Sequence, residues 1–96
     1  MTLHVPIIDD LIAAPDDAAR ARWLLQVPAG LLYSDHLEIK AVLQSAGFTA
    51  GLTALSAEIA CLCATRDRLG RVPTMVRFSL ELARVDLETV AYGGRA

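Results

Sequence analysis

Both cysteines of the chain stand one residue apart in IACLCATR, residues 59–66. Two thiols at that spacing suit a metal clamp, a redox pair, or neither. The surrounding periodicity predicts a helix over about residues 49–69, stopped by Gly70. On a helix, residues two apart are separated by about 200°, so Cys61 and Cys63 point to opposite sides and cannot hold one ion. The two histidines, His4 and His36, stand at no ligand spacing from them, so no metal centre is expected. Both thiols are expected to be ordinary buried ones.

Tyr33-Ser34-Asp35-His36 gathers catalytic residue types in one place. A nucleophile, its base and the orienting acid must converge in space, whereas adjacent residues diverge along the backbone. Helix capping accounts for Ser34 and Asp35 without chemistry, and Asp35 with Glu38 fits a capping box. Asp9-Asp10 and Asp16-Asp17 lack the spacing of a cation loop and suit helix starts. No phosphate-binding glycine loop occurs. The chain is therefore read as a non-enzyme without a cofactor.

Arg66, Arg68 and Arg71 form the one basic cluster, a candidate anion or nucleic-acid contact. Placed at the end of the long helix, they would complement its C-terminal dipole. LEIKAVLQSAGFTAGLTALSAEI also has the outline of a helix-turn-helix. Its second helix, however, opens with Thr49, Leu52, Thr53 and Ser56 and offers no base-reading cation. The formal charge of −2 likewise argues against a nucleic-acid binder.

The elements that position these residues read as helices. Pro15, Asp16 and Asp17 open a segment with Pro at its first helical position, and Val27-Pro28 closes it. Residues 28–34, PAGLLYS, read as a loop. DHLEIKAVLQSAGF ends on Gly47 with Phe48 placed to touch Leu43, the pattern of a left-handed helix cap. In PTMVRFSLELARVDLETVAYGG, Arg77, Glu81, Arg84 and Glu88 recur at helical spacing, which favours a helix with a charge ladder over a strand. The expectation is one all-α domain over residues 1–96, a compact bundle of four to five helices with short connections. Residues 1–14 supply an extended lead and a short helix, and residues 15–92 the main helices.

Two of these helices are apolar on both sides. On the long helix, Leu52, Leu55, Ile59, Leu62 and Cys63, extended by Leu69, form a bulky stripe expected in the core. Ala50, Ala54, Ala57, Cys61 and Ala64 form a small-residue stripe opposite it. On the last helix, Val76, Leu80, Ala83, Leu87 and Val90 line one side, and Phe78, Leu82, Val85 and Tyr92 the other. A 96-residue chain that is 54% hydrophobic has little interior in which to bury two double-faced helices. The small-residue stripe and the Phe78–Tyr92 stripe are therefore candidate partner interfaces.

The protein is read as a helical interaction module, an oligomeric or accessory subunit that structures or regulates a larger assembly. Its expected partner is a protein, either a second copy or a subunit of a larger complex. The alternative is a nucleic-acid-associated regulator using the arginine cluster. No apolar run is long enough to span a bilayer and no signal peptide is visible, so a cytoplasmic location without membrane insertion is expected.

Overall fold

A computed structural model of the chain describes residues 7–93. Among the described residues are six helices: α1 (Ile8–Ile12), α2 (Asp17–Gln26), α3 (Ala29–Ser34), α4 (His36–Ala46), α5 (Thr49–Cys63) and α6 (Thr74–Ala91). The protein is all-α, with short connections and one helix more than the sequence led us to expect. His4, Pro6 and Gly94 lie outside the described residues.

Each helix end has a local cause. Asp16 is extended and accepts the Ala19 N–H at 2.9 Å, which makes it the N-cap of α2. Pro15 therefore precedes the cap instead of occupying the first helical position. Asp17 pairs with Arg20 at 2.6 Å within the first turn. At the far end of α4 the Phe48 N–H donates to the Leu43 carbonyl and the Gly47 N–H to that of Gln44. With Gly47 at φ +69°, this is the expected left-handed cap, and Phe48 and Leu43 both enter the core.

Three expectations are corrected. The segment 28–34 is not a loop, because Leu32 turns into the core and α3 forms to carry it there. Asp35 in consequence does not cap α4. Its N–H already closes α3 on the Leu31 carbonyl, and at φ −106° and ψ 17° it lacks the extended backbone that a cap needs. Finally, α5 stops at Cys63, where Ala64 turns extended, six residues short of Leu69.

α6 packs against α2 and α5, which also touch each other, while α4 lies across α5. α1 rests on α2 and α4, and α3 joins α4 to α5. The Trp23 indole N–H donates to the Ile7 carbonyl at 2.8 Å and fixes the start of α1 against α2. Leu11, Ile39, Leu43 and Leu87 are the largest fully buried side chains, and no buried side chain among the described residues is polar.

Gly51 marks the tightest point of this core. A Cβ added there would stand 2.6 Å from the ring of Phe48 and 3.2 Å from Leu24. Alanine inside a helix normally gains about 1 kcal/mol over glycine. The Phe48 ring, buried on its other sides, has nowhere to retreat. Gly51→Ala should therefore destabilise the fold by about 1–2 kcal/mol despite the better helix former. A higher urea midpoint for the variant would show that the ring can move.

Candidate interaction surface

α6 is the longest helix and has two faces of opposite fate. Val76, Leu80, Ala83, Leu87 and Val90 are buried or half-buried toward α2 and α5. On the other side Met75, Phe78, Leu82, Val85 and Tyr92 are exposed at 72, 53, 52, 55 and 64%. With exposed Thr89 these residues fall at 75, 78, 82, 85, 89 and 92, alternating steps of three and four. That is the spacing of the a and d positions of a helix–helix seam. The stripe is continuous over about 26 Å at 1.5 Å per residue. Sequence periodicity had separated these two faces correctly and had omitted Met75 and Thr89.

Charge along the borders of the seam is one-sided. Glu81 and Glu88 line one edge, Asp86 and Ser79 the other, and all four are exposed. The expected ladder along α6 does not form. Arg84 crosses instead to Glu58 of α5, and among the described residues Arg77, Glu81 and Glu88 make no ion pair. The Arg84–Glu58 pair is half-buried and ties α6 to its neighbour.

The small-residue stripe of α5 is divided by the same contact. Ala54 and Cys61 flank Glu58 at i−4 and i+3 and thus share its side of α5, which faces α6. Ala54 is buried within the chain, so it is not available to a partner. Ala50, Ala57, Cys61 and Ala64 are half-buried. The bulky stripe is corrected as well. Leu62 and Cys63 are exposed and border a groove of about 610 Å³ with Ala29, Gly30 and Tyr33 of α3. Cys63 is thus not a core thiol, because the helix ends before anything covers its last turn. Leu69 lies beyond the helix and is exposed. Both cysteines are free thiols.

Arg66, Arg68 and Arg71 lie on the α5–α6 connection and not on a helix end, so the dipole explanation for them falls. Asp67 organises this loop. Its carboxylate accepts the N–H groups of Leu69 and Arg71 at 2.8 and 2.9 Å and the Arg71 guanidinium at 3.1 Å. The Asp67 N–H donates to the Arg71 carbonyl and the Gly70 N–H to the Asp67 carbonyl, with Gly70 at φ +79°. An aspartate that satisfies local N–H groups in this way competes with helix, which is why α5 does not continue. Arg71, though exposed, is paired with Asp67, which leaves Arg66 and Arg68 as the cations of the cluster without an ion pair among the described residues.

The Arg71 N–H holds the Asp67 carboxyl below the usual aspartate range, against some opposing desolvation and with help from the Leu69 N–H and the guanidinium. A depressed native value means that the ionised loop is favoured above the ordinary aspartate range. That preference disappears as pH falls through the lowered native value. Amide resonances of Leu69 and Arg71 should accordingly lose their hydrogen-bonded shift on acidification, and should lack it at every pH in Asp67→Ala. A pH-independent shift in the wild type would remove Asp67 from this role.

The remaining candidates serve the backbone. The Ser34 hydroxyl donates to the Leu31 carbonyl at 3.3 Å and sits 3.2 Å from Asp35 Oδ1. His36 Nδ1 meets the Tyr33 carbonyl at 2.7 Å, and the two rings lie 5.8 Å apart. Ser34 and His36 are not brought together. The Ile7 N–H points at the Asp10 carboxylate, while Asp16 and Asp17 are occupied in α2 as described. Among the described residues no three His, Cys, Asp or Glu side chains gather as metal ligands, and no helix is long and apolar enough to cross a membrane. Comparison with protein families, with curated proteins and with solved structures returned no match.

Proposed function

We propose that this chain is a helical protein–protein interaction module that acts in the cytoplasm as a subunit of a larger assembly, which it structures or regulates. The observation that carries this reading is the outward stripe of α6, with four large apolar side chains at least half exposed on one face of the 18-residue helix and Tyr92 continuing them at its C-cap. Scattered exposed apolar residues are ordinary on a protein surface, whereas a contiguous stripe at seam spacing marks an interaction site. The six helices are already committed to the core by their other faces, so no part of the described chain covers the stripe. The two unpaired thiols accord with a reducing compartment.

The same observations favour protein over nucleic acid as partner. Two exposed arginines on a loop offer too little cationic surface to displace the counterions of a phosphate backbone. The seam, in contrast, presents apolar area of the kind that anchors helices in grooves. A photo-crosslinking side chain in place of Val85 should capture one discrete protein adduct in host cells. The same group in place of Lys40, exposed on α4, should capture none. Equal labelling from both positions would refute the assignment of α6 as the interface.

A further inference from the structure

We infer that the occupant of the α6 seam is a helix of a different protein, carrying Lys or Arg along both borders of its own apolar stripe, and not a second copy of this chain. The inference rests on reading the seam as an interface and adds the chemistry of its partner. Helices that meet along such a seam place the residues beside it, at e and g positions, opposite one another, and their charges set partner choice. Here Glu81 and Glu88 hold the g positions and Asp86 an e position, with Ser79 the other e.

A second copy is answered by the wrong sign in either direction. Run parallel, Glu81 of one chain faces Asp86 of the other, twice. Run antiparallel, Glu81 faces Glu88, again twice. Among the described residues no cation stands on either border to relieve this, since Arg84 is held by Glu58 and Arg77 lies beyond Glu81 and Glu88 on the wheel. A partner with cations on both borders meets carboxylates at each of these places. The carboxylates thus repel self-pairing and attract a basic helix, which combines negative and positive selection in three residues. The span of the seam sets the partner helix at about five turns.

The test uses two synthetic three-heptad peptides with Ile at a and Leu at d, identical except that e and g are all Lys in one and all Glu in the other. Light scattering should show the wild-type chain monomeric at high micromolar concentration. Fluorescence anisotropy should show the Lys peptide binding at least about tenfold tighter than the Glu peptide, with the difference shrinking as salt rises. In E81K/D86K/E88K the preference should invert, and circular dichroism should match the wild type. Equal binding of the two peptides, or a wild-type dimer that Leu82→Gln dissolves, would overturn the basic-partner inference while leaving the seam an interface. Binding of neither peptide, with no self-association, would overturn both.

Discussion

Replacing Leu87 with alanine should lower the unfolding free energy by about 3–4 kcal/mol, within the range seen when a fully buried leucine is truncated. Leu87 is 2% exposed and is the one large side chain of α6 that is fully buried. Its neighbours one turn away on the same face are Ala83 and Ala91, both buried. These small residues let α2 and α5 approach the α6 backbone, and neither alanine is long enough to fill the void. The Arg22 guanidinium donates to the Ala91 carbonyl at 3.1 Å, and Arg84 grips Glu58, so α6 is pinned on both sides and cannot slide inward. For a small domain holding about 5–15 kcal/mol, such a loss is a large share of the total. The urea midpoint should fall with little change in slope, and α6 amides should lose exchange protection first. A loss below about 1 kcal/mol would mean that the helix repacks, and that the inward face does not anchor it.

What the sequence disclosed depended on how local each cause was. The end of α4 was legible because Gly47 and Phe48 are adjacent and their two hydrogen bonds reach only to Gln44 and Leu43. The two faces of α6 were legible because apolar and charged residues recur at helical spacing over five turns. α3 was not, since its Pro, Gly and short length hide a helix that exists to bury Leu32. Nor was the end of α5, where Ala64, Arg66, Arg68 and Leu69 are good helix formers and the decision falls to the side chain of Asp67. Asp67 gathers N–H groups from two to four residues ahead, a competitor that apolar periodicity does not register. Arg84 shows the remaining limit. Four charges in a row along α6 imply pairing within the helix, yet its partner is Glu58, 26 residues away, and only tertiary packing brings the two together.

That crossing pair also bears on the seam. By drawing Arg84 toward α5, the fold removes the cation at i+3 of Glu81 and i−4 of Glu88 and so sharpens the acidic border. The partition of charge and the partition of apolar residues on α6 are therefore products of the same docking. The face turned inward carries Ala83, Leu87 and Ala91 at its buried centre with Val76, Leu80 and Val90 beside them, and the face turned outward keeps both aromatic side chains.

The opposite outcome is expected when that outward face is changed. Phe78→Gln, Leu82→Gln and Val85→Gln combined should leave the unfolding free energy within about 0.5 kcal/mol of wild type, as for surface positions. All three side chains are already about half exposed in the monomer, and glutamine matches leucine and exceeds phenylalanine and valine as a helix former. Binding is another matter. Full burial of such a side chain contributes roughly 1.5–3 kcal/mol, so covering the exposed half of each contributes roughly 1 kcal/mol. Three together amount to roughly 3 kcal/mol, about a hundredfold in affinity. Glutamines placed in a seam also bury polar groups without partners, which deepens the loss. Anisotropy with the Lys-flanked peptide should therefore show at least that hundredfold weakening in a variant whose urea curve overlays the wild type. A variant that binds the peptide as tightly as wild type would place the partner on another surface. One that unfolds would make the stripe part of the core, and α6 would have no outward face to offer.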